Sequence, residues 1–186
     1  MEVIWVLLAI AVAVGIYGVM AYNNLVKNRQ LVEEGWSGID VQLKRRANLI
    51  PNMLETVKGY VEHESGTLEA VTAARAGVQG AAGASPQERG ALEGILSGAL
   101  GKLMAVVEAY PDLKADSSFL EFQGALQATE DEIQLSRRYY NGTVRNMNVM
   151  VESFPSNLIA NAFQFFTAEY FELENEADRA VPDVSF

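Results

Sequence analysis

The sequence predicts an all-α protein, with a single N-terminal transmembrane helix followed by a long antiparallel four-helix bundle. Three observations carry that expectation. Val3 to Val26 contains no charged residue. Downstream, apolar residues recur three, four or seven apart, the period of a helical stripe rather than a strand. Proline, serine, aspartate and asparagine then punctuate the chain where helices should start and stop. The 186 residues suit one ordinary domain of roughly 100 to 200 residues plus an anchor, so two separate cores are not expected. The division is residues 1–22 as anchor, 23–178 as bundle and 179–186 as a C-terminal tail.

The anchor is almost wholly apolar from Val3 to Met20, close to the ~20 residues that cross the hydrocarbon. Val3, Ile4, Val6, Leu7, Leu8, Ile10, Val12, Val14, Ile16 and Val19 each favour insertion by about 0.3 to 0.6 kcal/mol, or about 3 to 6 kcal/mol together. A cleaved signal peptide would open on a basic stretch, whereas this chain opens on Glu2. Lys27 and Arg29 follow the span and the short N-terminus carries neither Lys nor Arg. The positive-inside tendency therefore puts the N-terminus outside and the body in the cytoplasm, with Lys27 and Arg29 facing lipid headgroups. Tyr17 and Tyr22 suit an aromatic belt at the same boundary.

Helix 1 of the bundle has the stripe Leu25, Val32, Trp36, Ile39, Leu43, Ile50, Leu54, Val57, Val61, Leu68, Val71 and Val78. Nothing rich in Gly, Pro or Ser separates it from the anchor, so the two are expected to run on as a rigid stalk. Pro51 removes one amide donor and should kink the helix without ending it, because the stripe resumes at Leu54. Gly59 and Gly66 soften it further. Ser85 and Pro86 then read as an N-cap and first helical position for helix 2, with Leu92, Ile95, Leu96, Ala99, Leu100, Leu103, Val106, Val107 and Tyr110 inward and Pro111 as its stop. Asp116 or Ser117 caps helix 3, striped by Phe119, Leu120, Phe122, Leu126, Ile133, Tyr140, Val144, Met147 and Val151. After a Phe154-Pro155-Ser156 turn, Ser156 or Asn157 opens helix 4, with Ile159, Phe163, Phe166, Tyr170 and Phe171 inward. At 1.5 Å per residue helix 3 spans roughly 55 Å and helices 2 and 4 roughly 35 Å each.

Composition excludes several chemistries. With no cysteine, disulfides, thiolate catalysis and cysteine-ligated zinc are absent. A net charge of −10 argues against nucleic acid, whose phosphates call for a basic face. The single histidine, His63, has Tyr60, Gly59, Gly66 and Thr67 three and four residues away, so no carboxylate shares its helical face. No metal, cofactor or catalytic set is expected, and an enzyme using Asp40, Arg46 and His63 lacks acid–base geometry. Gly94, Gly98 and Gly101 lie in a helical pattern with no strand before them and read as packing glycines, not a phosphate cradle. Glu130 and Asp131, like Glu172 and Glu174, are too close in sequence to share a helical face and read as solvated surface.

Two basic groups stand out as interaction candidates. Lys44, Arg45 and Arg46 lie roughly 35 Å beyond Tyr22 on a straight helix, several times the ~8 Å Debye length. An intramolecular role is favoured for them over lipid contact, with Asp40 pairing to Lys44 or with carboxylates of a neighbouring helix or protomer. Arg137 and Arg138, next to Tyr139 and Tyr140, form either a partner-binding edge or the amphipathic border of a packed helix.

Several strings of the chain resemble the LemA family. They include Trp36-Ser37, Ile39-Asp40-Val41-Gln42-Leu43-Lys44-Arg45-Arg46, Leu49-Ile50-Pro51-Asn52, Glu108-Ala109-Tyr110-Pro111-Asp112-Leu113-Lys114-Ala115, Arg137-Arg138-Tyr139-Tyr140-Asn141 and Phe154-Pro155. The resemblance begins at Tyr22 and spans nearly all that follows. Gly35 departs from it, standing where Ala is commoner and locally loosening helix 1, as does Met147 in place of Tyr. The resemblance implies a bacterial membrane protein with an N-terminal anchor and a cytoplasmic helical body, and relatives among magnetosome proteins point to membrane organisation. It implies no activity. The function expected is a non-enzymatic scaffold in contact with membrane lipid that forms homo-oligomers. The alternative is an adaptor binding a soluble protein partner through the Arg137 to Asn148 face or the acidic tail.

Overall fold

A computed structural model describes residues 1–61, 64–81 and 83–172. Every regular element among them is helical, as the apolar periodicity requires: α1 Glu2–Lys58, α2 Ser65–Gly80, α3 Pro86–Val107, α4 Pro111–Lys114, α5 Ser117–Glu152 and α6 Ser156–Ala162. The apolar N-terminal segment and the first helix of the body are one uninterrupted helix, with Pro51 inside it. Ile50, Met53, Leu54 and Val57 are buried on both sides of that proline, so the stripe keeps its phase.

The stripe read as one helix to Val78 is two helices. After Lys58 the chain tightens, the Gly59 and Tyr60 amides donating to the carbonyls of Thr56 and Val57, three residues back. Gly59 and Gly66 each disfavour helix by about 1 kcal/mol relative to alanine, enough together to break a helix whose apolar period continues. Tyr60 ties the break to the start of α5, donating its hydroxyl to Asp116 Oδ2 at 2.9 Å. Asp116, rather than Ser117, is the side chain that caps α5, accepting from the Phe119 amide at 3.0 Å. That amide, with the Tyr60 hydroxyl, holds the Asp116 carboxyl below its ordinary pKa, and the same hydrogen bond raises the Tyr60 phenol.

Ser85 and Glu88 form a reciprocal capping box at the start of α3, with Pro86 at its first position. Pro111 does more than stop α3, because it opens the single turn α4. Ile95 and Leu120, both expected inside, are exposed.

The largest departure is at the C-terminus, where helix 4 is the seven-residue α6. The amides of Phe165 and Gln164 donate back to Ala160 and Asn161 at 2.9 and 3.4 Å, the paired bonds of a Schellman stop. Gln164 takes the left-handed position there, with φ 57°. Residues 165–172 are not helical. Asn148 exchanges two hydrogen bonds with the Ala168 backbone, at 3.0 and 2.8 Å, and Tyr140 donates its hydroxyl to the Glu169 carbonyl at 2.8 Å. Phe165 and Phe171 are buried, whereas Phe163, Phe166 and Tyr170 are exposed.

The chain falls into two compact units, where the sequence suggested one core. The first comprises Met1–Ile39 and Ser136–Tyr170, and the second Asp40–Leu135 with the chain from Phe171 on. The two long helices α1 and α5 each supply a segment to both units, which is why a periodic stripe gave no sign of the division. In the first unit α1 and α5 run antiparallel, Trp36 lying against Tyr140 at 5.5 Å and the Asn28 amide donating to Met150 Sδ at 3.1 Å. Gly35 has a packing role. A Cβ there would lie 3.2 Å from Tyr140 Cα, so the glycine sets the close approach of the two helices. The unit's apolar cluster is Leu25, Met147, Ala160 and Phe165.

The second unit packs Ile50, Met53, Val57, Val71, Leu96, Leu103 and Phe119 into its own cluster. Gly90 of α3 is buried there, and a Cβ on it would fall 2.1 Å from the Glu172 carbonyl oxygen. Gly90→Ala should therefore cost about 1 to 3 kcal/mol by overpacking. Gly101→Ala, whose Cβ would meet nothing, should be neutral or stabilise by up to about 1 kcal/mol. Urea unfolding of the two variants side by side checks the contrast.

Candidate functional site

All residues from Met1 to Tyr17 are exposed. This stretch of α1 is long and apolar enough to cross a membrane and none of it is buried within the protein. Cover begins at Gly18, whose Cβ position lies 3.7 Å from Ile159 Cδ1, and is complete at Ala21 and Leu25. A helix is normally apolar all round only where it is covered by protein or lipid, and among the described residues none buries this stretch. Helix α3 is also long and apolar enough to span. Yet it buries Arg89 and Glu93 together with Leu96 and Leu103, which marks it as a core helix.

Lys27 and Arg29, expected at headgroups, are both exposed just beyond the apolar stretch. The Arg29 guanidinium also sits 5.4 Å from the Phe165 ring centroid, a cation–π contact that holds its charge at this level of α1.

The Lys44-Arg45-Arg46 cluster separates by helical angle. Lys44 is exposed and pairs with Asp40 at 2.6 Å across one turn, the intramolecular pairing expected. Arg45 is exposed. Arg46 is fully buried, so it belongs to the interior and not to an interaction face. It donates to Ser97 Oγ at 3.0 Å, to Glu130 Oε1 at 2.7 Å, and to both the carbonyl and carboxylate of Glu93. Arg89 completes the cluster, 3.3 Å from Glu93 and 3.7 Å from Asp40. The network joins α1, α3 and α5. Glu130 is thus half-buried and paired rather than solvated surface, while its neighbour Asp131 is exposed and accepts from Gln127 at 3.2 Å. Sequence reasoning missed Glu93 and Arg89. Their spacing of four, followed by eight uncharged residues from Gly94 to Gly101, was the available signal.

Arg137 is half-buried, whereas Arg138 and Tyr139 are exposed and Tyr140 is buried. Four successive positions turn through the helix, so the run is not a single edge. Burial first, and the Glu169 carboxylate second, push the Tyr140 phenol up to about 12. A half-open groove of about 290 Å³ lies between α1 and α5, lined by Leu49, Asn52, Met53 and Thr56 on one side and Ser118, Glu121, Phe122 and Ala125 on the other. Asn52, Thr56, Ser118 and Glu121 supply its polar groups. His63, and Glu174 in the acidic tail, lie outside the described residues, as does the 179–186 segment.

The sequence model of the LemA family matches residues 35–186. Protein LemA of Metamycoplasma hominis is 28% identical over 165 residues, covering 88% of this chain and 74% of that protein. Magnetosome protein MamQ 2 of Paramagnetospirillum magneticum is 26% identical over 186 residues, covering 87% and 68%. Magnetosome protein MamQ of Magnetospirillum gryphiswaldense is 24% identical over the same length and shares. The family match leaves out only the apolar N-terminal segment and the next turns of α1, and takes in the whole of the buried Arg46 network: the chain belongs to the LemA family.

Proposed function

We propose that this protein is a non-enzymatic helical scaffold, anchored in a bacterial cytoplasmic membrane with its N-terminus outside and its body in the cytoplasm. It self-associates there and so organises membrane or recruits partners. The observation that carries the reading is the bare apolar segment of α1, continuous with the helix that builds the body. Lys27 and Arg29 on the body side support the orientation. Ala9, Ala11, Ala13 and Gly15 lower the bulk of the span and allow a second helix to approach closely in lipid. Relatives named as magnetosome proteins lend weight to a role in membrane organisation.

Chemical crosslinking of the full chain in vesicles, over a series of lipid-to-protein ratios, tests self-association. Crosslinked dimers and larger species that persist on dilution into excess lipid are expected. Monomer throughout would contradict the scaffold and favour the adaptor reading, in which the exposed pair Arg138 and Tyr139 meets a soluble partner.

A further inference from the structure

Residues 153–168 are a second charge-free stretch, bounded by Glu152 and Glu169, in a chain with 20% charged residues. Within it Phe154, Leu158, Phe163 and Phe166 are 79%, 58%, 59% and 75% exposed. Such a concentration of large apolar side chains on a surface asks for a cover. The first unit places this stretch beside the other charge-free stretch, that of α1. Ile159 reaches the Gly18 position, Tyr22 meets the rings of Phe163 and Phe165 at 4.9 and 5.8 Å, and Leu25 shares a cluster with Ala160 and Phe165.

A hydrocarbon layer of about 30 Å takes about 20 helical residues at 1.5 Å each, which runs from Val3 to roughly Tyr22. Gly18 and Tyr22 then lie at the inner edge of the hydrocarbon, and Ile159 and Phe163 lie at the same level. The first charges on α1 beyond that level are Lys27 and Arg29. We infer that the turn after α5, helix α6 and the Phe163–Phe166 corner form an interfacial collar. On this reading Phe154, Leu158, Phe163 and Phe166 insert into the boundary region of the bilayer that α1 crosses, seating the first unit on the membrane instead of holding it clear on a stalk. Aromatic rings with neighbouring amide and hydroxyl groups, here Asn157, Asn161, Gln164 and Thr167, suit that boundary. The occupant is lipid and not a second chain because the patch is continuous with the apolar surface of the span and ends where charge begins. The inference rests on the anchor reading.

The chain has no cysteine, so single cysteines carrying an environment-sensitive fluorophore report each position in the full-length protein. They are placed at Leu158, Phe166, Val12 and Glu33, and the protein is reconstituted in phosphatidylethanolamine–phosphatidylglycerol vesicles. Labels at Leu158 and Phe166 should emit to the blue of the Glu33 label, be quenched by lipids brominated near the headgroup, and keep the shift as protein is diluted with lipid. Water-like emission at Leu158 and Phe166 with a buried signal at Val12 would overturn the collar and leave the anchor standing. A blue shift that fades on dilution would overturn it in favour of a second copy. A water-like signal at Val12 would remove the anchor and the collar together.

Discussion

Replacing Arg46 with Met should destabilise the protein by about 3 to 5 kcal/mol, the effect of breaking a buried ion pair from one side. The substitution leaves the Glu93 carboxylate, itself fully buried, with Arg89 at 3.3 Å as its remaining ion-pair partner among the described residues. It also removes the donors that Ser97 and Glu130 share. A domain is stable by only about 5 to 15 kcal/mol, so this one change removes a large share. Attraction within the network and the cost of desolvating it nearly offset each other, and replacing both partners with apolar groups is therefore milder than removing one. The double variant Arg46→Met with Glu93→Leu should recover part of the loss, because it leaves no uncompensated carboxylate at the centre. Urea unfolding of the full chain in detergent measures both. A single-variant cost under about 1 kcal/mol, the range of an exposed pair, would show that the network is solvated.

Placing lysines at Leu8 and Val12 should abolish membrane insertion. Each lysine near the middle of a span adds about 2.5 to 3.5 kcal/mol and each lost aliphatic forfeits about 0.3 to 0.6 kcal/mol, for a total of about 6 to 8 kcal/mol. The ten aliphatics supply only about 3 to 6 kcal/mol, so the balance reverses. Both side chains are exposed, and helical content and unfolding midpoint should stay unchanged. The pair should move the protein from the membrane pellet to the soluble fraction after cell lysis, and retention in the pellet would contradict the proposed span. Leu8→Phe with Val12→Leu should sediment as the native chain does.

The parts of this molecule that were legible in its sequence are those set by local physics. Charge and hydropathy are properties of consecutive residues, so the apolar segment of α1 could be read directly. Ser85 with Pro86 and Asp116 announced two helix starts because a cap acts on amides two or three residues away. Illegible features depend on distant residues. Arg46 meets Glu93 and Glu130 across 47 and 84 positions, and no local pattern separates such a carboxylate from a solvated one. Gly90 looks like any helical glycine until the Glu172 carbonyl arrives above it. The short α6 was missed because its stop places glutamine where glycine is the usual signal, and because Asn148 supplies the hydrogen bonds that would otherwise have come from continuing the helix. The division into two units was hidden by helices that pass through both without a break in period.

Labelling with a membrane-impermeant thiol reagent tests the anchored, N-outside arrangement most directly, using Glu2→Cys and Glu69→Cys in this cysteine-free chain. In intact bacterial cells the cysteine at position 2 should be labelled, and the one at position 69 only after lysis. Protection of both positions until lysis, or labelling of position 69 from outside, would contradict it.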